Sequence, residues 1–230
     1  MENISKELLT QFRPPAFPGS FFISFEGIEG SGKSTQIKLI TEYLEKKNFR
    51  VLVLREPGGT PYGEKLRQAI LNTTSKIHPV AEAYLFASAR AQLLTEVVLS
   101  ELSVPNTIII CDRYIDSTIA YQGVARGLGI EKVLEAHNLF PLHLVPHLTL
   151  YLKIGLETSM HRQEIRNNPK DYFESENQDF HSKLIKGYDA ASELFPDRIQ
   201  VINSERSLEE VYLAIRSKID ELVQGQDHKQ

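Results

Sequence analysis

The chain has a single cysteine, Cys111, among its 230 residues. One thiol cannot form an internal disulfide, which suits a reducing compartment, and the residue reads as a small buried hydrophobe. A basic excess is also missing. Its 26 Lys and Arg against 30 Asp and Glu leave a formal net charge of −4, so no nucleic-acid partner is expected and any anion site must use locally placed arginines. No apolar run is long enough to span a bilayer, so no membrane partner is expected either. Residues 1–20, with Pro14, Pro15 and Pro18, do not read as a signal peptide. They are expected to form a loosely held, disorder-prone extension, and the protein is expected to be cytoplasmic. There is no D-x-x-G and no N-K-x-D segment, which argues against a guanine-nucleotide switch. Without an internal repeat or a dividing linker, residues 21–225 should make one domain.

What is present begins with Gly27-Ile28-Glu29-Gly30-Ser31-Gly32-Lys33-Ser34, an ungapped match to G-x-x-x-x-G-K-[ST]. Successive backbone N–H groups in such a loop cradle a polyphosphate, Lys33 reaches the β/γ-phosphates and Ser34 sits on Mg²⁺. The apolar run Phe21–Phe25 before it predicts a buried strand. Residues 35–47, with Ile37, Leu39, Ile40, Tyr43 and Leu44 at helical spacing, predict a helix whose first residue is Thr35. Further strands are predicted over 51–54, 107–111, 147–152 and 199–202, with helices between them. Strands alternating with helices imply an α/β three-layer sandwich of the P-loop NTPase type, with a five-stranded parallel sheet. Asp112 ends the third strand, where a phosphate-loop site places its metal-holding acid.

Other stretches admit two readings. Arg55-Glu56-Pro57-Gly58-Gly59-Thr60 is a turn cluster at a strand's carboxyl end, where open α/β sheets bind ligands, and Glu56–Pro57 is a candidate cis peptide. Phe86 and Arg90 lie four apart on a predicted helix; by themselves they read more readily as a core ring and a surface charge. Ser117 to Gly123 gathers hydroxyl and amide groups on one short element, or forms a polar turn. Residues 157–176, with His161, Arg162, Arg166, Lys170 and Asp171, are either an exposed helix pair or a lid whose arginines close over phosphates.

Three blocks together resemble thymidylate kinases from about Phe21 to Val223. They are Phe25 to Thr35, Arg55 to Thr60, and Asp112-Arg113-Tyr114 with Ser117-Thr118 and Ala120-Tyr121-Gln122-Gly123. The resemblance implies a nucleoside monophosphate kinase fold with a helical lid at about 157–176, and transfer of the ATP γ-phosphate to dTMP. It implies Mg²⁺ at Ser34 and Asp112, with ATP bound along Gly27, Ile28, Glu29, Gly30, Ser31, Gly32, Lys33, Ser34 and Thr35. Glu29 matches the acid that accepts from the nucleotide 3′-hydroxyl, which explains a carboxylate beside a polyphosphate. Arg67 and Arg113 match holders of the acceptor 5′-phosphate, a task suited to forked guanidinium donors. Phe86 matches the ring that stacks on thymine and Arg90 the donor to its carbonyl edge, which reverses the reading of that pair from spacing. Thr118 and Tyr121 match base-edge and sugar contacts, with Ser117 and Gln122 beside them. A homodimer is implied as well. Other readings are a kinase for another pyrimidine nucleoside monophosphate and a non-catalytic homologue.

The implied chemistry is in-line attack by an already anionic phosphate oxygen, helped by Lys33, Arg113 and Mg²⁺ rather than by a base, with Asp112 placing the metal. The loop carries no arginine, so the resemblance is to the bacterial branch with a lid-borne catalytic arginine. There this chain departs: Asp171-Tyr172-Phe173-Glu174 has tyrosine where many relatives carry arginine. Arg166, then Arg162, are the expected substitutes, with Lys170 behind them.

Overall fold

The computed structural model describes residues 4–166 and 172–227; the side chain of Arg166, together with Lys170 and Asp171, lies outside the described residues. Five strands, β1 (Phe21–Glu26), β2 (Arg50–Arg55), β3 (Thr107–Asp112), β4 (Leu148–Lys153) and β5 (Ile199–Asn203), form one sheet in the order β2-β3-β1-β4-β5. Every pairing is parallel. β1, β3 and β4 are buried on both faces, as their continuous apolar runs require, whereas the edge strand β2 alternates with exposed residues.

Alternate side chains feed two separate cores, and this produces the three layers. Phe21, Ile23 and Phe25 pack with Ile37, Ile40 and Leu44 of α2 (Lys33–Lys46) and with Val211, Ile215 and Ile219 of the final helix 208–227. Phe22, Ile109 and Cys111 face the opposite layer. That layer includes α4 (Pro79–Leu93), which continues through a π-helical turn, Leu94–Val98, into α5 (Leu99–Leu102). It also holds α6 (Ile115–Thr118), a second π-helical turn at Ile119–Ala125, and α9 (Gln178–Leu194). Gly187 on α9 permits this contact: a Cβ there would fall 2.6 Å from the Ala120 Cα, far inside van der Waals distance.

Two features depart from expectation. The segment read as a loose extension is held: it forms α1 (Lys6–Gln11), buries Phe12 and makes a parallel bridge from Arg13 to Leu144. Phe12 meets Phe195 edge-on, so aromatic burial outweighs the local proline content. Between β3 and β4 the chain also forms α7 (Ile130–His137), a helix whose bounds the sequence pattern did not mark out. Among the described residues of the 157–176 stretch there is a single helix, α8 (Leu156–Arg166), followed by a turn at 172–176. α3 (Pro61–Leu71) starts on the N-cap of Thr60, whose hydroxyl accepts from Gly63 N–H at 2.9 Å. Glu56–Pro57 is cis, as is Phe140–Pro141.

Candidate active site

The glycine loop joins β1 to α2 at the carboxyl edge of the sheet. Gly27 adopts φ 138°, and a Cβ there would lie 2.5 Å from the Leu152 carbonyl oxygen, so glycine alone fits. Gly32, at φ 92°, caps α2 and turns the chain into Lys33. The Ile28 side chain belongs to the core, leaving its backbone for the loop. Ser34 and Thr35 are exposed on the first helical turn; Ser34 lines the cleft, whereas Thr35 is not part of its lining.

Lys33 is buried, and its Nζ donates to the Gly27 and Ile28 carbonyl oxygens at 2.9 and 3.3 Å. Burial, then the Arg113 charge, push its ammonium down from the ordinary lysine range to about 8. A polyphosphate favours the protonated form, so binding above pH 8 must be accompanied by proton uptake. ATP affinity is therefore expected to weaken progressively as pH rises from 7 to 9.5. Calorimetry should show this slope in the wild type and its loss in Lys33→Met; a flat profile would refute the assignment. In the free protein the sign is opposite: between about pH 8 and the unfolded value the unfolded chain binds the extra proton, so this lysine makes stability rise with pH.

Asp112 closes β3 beside the loop, and its Oδ1 is buried without a hydrogen-bond partner. An orphaned carboxylate oxygen in a cleft that Ser34 also lines fits a hard, oxygen-seeking divalent cation. Among the described residues no group of three or more His, Cys, Asp or Glu could hold a metal by itself.

Arg113, next along, has φ 72°, uncommon for a residue with a Cβ. Its NH1 donates to the Gly27 carbonyl at 2.9 Å and the Tyr188 hydroxyl at 2.8 Å, and its NH2 stands 3.6 Å from the Glu29 carboxylate. Beneath it lies Glu26, fully buried, which accepts from Tyr114 N–H at 2.7 Å and Ser117 Oγ at 2.6 Å. Burial, with the Asp116 charge second, pushes the Glu26 carboxyl up to about 8. Arg67, from α3, donates to the Pro57 carbonyl at 3.1 Å and lines the same cleft.

At the far end of the cleft Arg90 is almost wholly buried. Its Nε and NH2 both donate to Oε2 of Glu56, at 2.8 and 2.6 Å, and NH2 also reaches the Thr118 hydroxyl at 3.0 Å. His137 Nε2 lies 3.0 Å from NH1. Burial, then the Arg90 charge, push His137 down to about 3, so it is neutral. Phe86 and Tyr121 line the cleft, and Phe173 from the 172–176 turn meets both, at ring-centroid distances of 6.0 and 5.2 Å. Gln122 also lines it, with its amide nitrogen donating to the buried Glu82 at 2.7 Å.

The helix α8 touches the loop directly. Ser159 Oγ donates to the Glu29 carbonyl at 2.6 Å, and Arg162 forks onto the Gly30 and Ser204 carbonyls, each at 3.0 Å. Tyr172, the residue that stands in the Asp-Tyr-Phe-Glu stretch, packs against Arg126. Its hydroxyl accepts from Ile77 N–H at 3.4 Å, and its ring lies under the Arg126 guanidinium, which also pairs with Glu82 and Glu176.

Strand, glycine loop, Lys33 and Asp112 on this five-stranded parallel sheet order define a P-loop phosphotransferase of the nucleoside monophosphate kinase fold. A family model described as thymidylate kinase matches residues 25–215. The thymidylate kinase of Caldanaerobacter subterraneus subsp. tengcongensis is 42% identical over 89% of this chain and 97% of its own. That of a Thermoanaerobacter species is 44% identical over 83% and 93%. The crystal structure of thymidylate kinase from Ehrlichia chaffeensis superposes with a TM-score of 0.68 at 28% identity, covering 88% of this chain and 99% of that one. The chain belongs to the thymidylate kinase family.

The three sequence blocks thus come together at one cleft. Sequence reasoning passed over Glu26, His137, Phe173 and Arg126. Only Glu26 carried a signal, as an acid closing a mostly apolar, wholly buried strand.

Proposed function

We propose that the protein transfers the γ-phosphate of ATP to dTMP, giving dTDP and ADP in dTTP synthesis. The observation that carries this reading is the cleft itself: Lys33, Arg67, Arg113, Phe86 and Arg90 all line it. It therefore offers a triphosphate cradle, a pair of phosphate-binding forks and an aromatic slot with a buried cation. Arg67 and Arg113 grip the acceptor 5′-phosphate, and Glu29, held near Arg113, takes the 3′-hydroxyl. Phe86 stacks on thymine; Arg90 meets its carbonyl edge. Thr118, Tyr121, Ser117 and Gln122 complete the base and sugar surround. Ser34 and Asp112 would hold Mg²⁺, which would supply neutralisation of developing phosphate charge. Lys33 and Arg113 lower the barrier by positioning and charge, with no general base needed. On the family resemblance we read the protein as a cytoplasmic homodimer whose partners are dTMP and ATP.

The test is ADP release that depends on dTMP, run beside dUMP, UMP and CMP. Equal or faster turnover of UMP or CMP would move the reading to another pyrimidine kinase, and no turnover to a non-catalytic homologue. One buried methyl is worth about 1 kcal/mol, so some dUMP turnover is expected.

The lid arginines should separate in kinetics. Arg162 spends its fork on two backbone carbonyls, so Arg162→Ala is expected mainly to raise KM for ATP by loosening the loop. Arg166→Ala should instead lower kcat by on the order of 10³-fold, as loss of a transition-state arginine does. An unchanged kcat in Arg166→Ala would remove it from the mechanism.

A further inference from the structure

Arg90 can hold a base edge only if its guanidinium plane is fixed, and Glu56 alone does not fix it. Glu56 engages Nε and NH2 through a single oxygen, while its Oε1 is buried without a partner. The Tyr114 ring, its centroid 4.8 Å from the guanidinium carbon, limits tilting of the plane, but a one-point hold leaves the guanidinium free to turn within that plane about Oε2. The Thr118 hydroxyl steadies the NH2 corner, and the remaining corner, NH1, meets His137 Nε2 at 3.0 Å.

The state of His137 follows from its own helix. As the last residue of α7 it places Nδ1 2.7 Å from the Val133 carbonyl oxygen, four residues earlier. A carbonyl only accepts, so Nδ1 carries the proton and Nε2 presents a lone pair to Arg90. Of the five guanidinium N–H groups, one on Nε, two on NH2 and one on NH1 are then engaged. The second NH1 hydrogen remains, at about 120° from the first in the same plane. We infer that His137 is a positioning residue for nucleobase selection: it clamps NH1 so that the remaining N–H of Arg90 is held for a carbonyl oxygen at position 4 of the pyrimidine. This rests on the proposed reading of Arg90 as the base-edge donor. It adds that selection of carbonyl over amino at that position depends on a histidine on α7.

The experiment compares the wild type with His137→Leu and His137→Gln, using dTMP and 5-methyl-dCMP, which carries an amino group in place of that carbonyl. Leucine keeps volume and removes the acceptor; the glutamine amide reaches where Nε2 stands and restores one. In H137L, KM for dTMP is expected to rise by about tenfold to a hundredfold, the scale of a hydrogen bond to a charged group. Its kcat and KM for ATP should stay within about threefold, and its preference for dTMP over 5-methyl-dCMP should narrow. H137Q should recover both KM and preference. Should H137L fail to fold, His137→Met is read in the same way. Wild-type KM and preference in the acceptor-free variant would overturn the inference, as would a uniform loss of activity with preference intact. A wild type that neither binds nor phosphorylates dTMP would overturn the parent reading, and this one with it.

Discussion

Lys33→Met is expected to lower kcat by on the order of 10³-fold, the scale seen when a preorganised electrostatic donor is removed from a water-excluded site. The lysine is buried with its Nζ among loop carbonyl oxygens, a place where a cation in the free protein is costly and a developing phosphate charge is the natural counterpart. Methionine keeps most of the stem's volume and removes that cost. The unfolding midpoint at pH 7 should therefore not fall while turnover does, and this split identifies a catalytic rather than a structural group. Steady-state kinetics alongside thermal unfolding checks both halves. Turnover within tenfold of the wild type would remove Lys33 from its assigned role.

The largest loss of stability should come from Arg198→Leu. Arg198 makes a two-point pair with Asp116, NH1 to Oδ2 and NH2 to Oδ1, each at 2.7 Å, and NH1 also reaches the Thr149 hydroxyl at 3.0 Å. Asp116 is 1% exposed. Removing the guanidinium strands a carboxylate away from water, which costs about 3–5 kcal/mol. Urea unfolding of the single variant should show that loss, and the double variant with Asp116→Leu should regain most of it, since replacing both charges with apolar groups is near neutral. A single-variant loss under about 1 kcal/mol would mean that the pair contributes little. The pair matters beyond stability because Asp116 sits on α6 beside Ser117 and Thr118, so it ties a cleft-lining element to the β4–β5 side of the sheet.

These two residues differ in how visible they were beforehand. Lys33 announces itself, because a glycine loop needs a fixed local pattern: glycines where φ is positive, an apolar strand before and a helix after. Asp112, at the end of an apolar strand, is visible for the same reason. Arg113, Arg67, Phe86 and Arg90 could be named only through the order and spacing of three blocks, since spacing alone read Phe86 and Arg90 as core and surface. The amino-terminal segment was misjudged because proline content says nothing about a phenylalanine finding a partner such as Phe195, 183 positions later.

By itself, then, the sequence determined the parallel sheet, the glycine loop and the family, because each is written in short-range patterns of polarity and backbone freedom. Tertiary structure alone decided which charges meet. Arg90 with Glu56 and His137, Arg198 with Asp116, and Arg126 with Glu82 are separated by 34 to 82 positions, and a pairing across such distances leaves no local trace. Whether a buried charge is held or stranded depends on where the helices pack, and so does whether Phe173 meets Phe86 and Tyr121. Packing is a property of the whole chain.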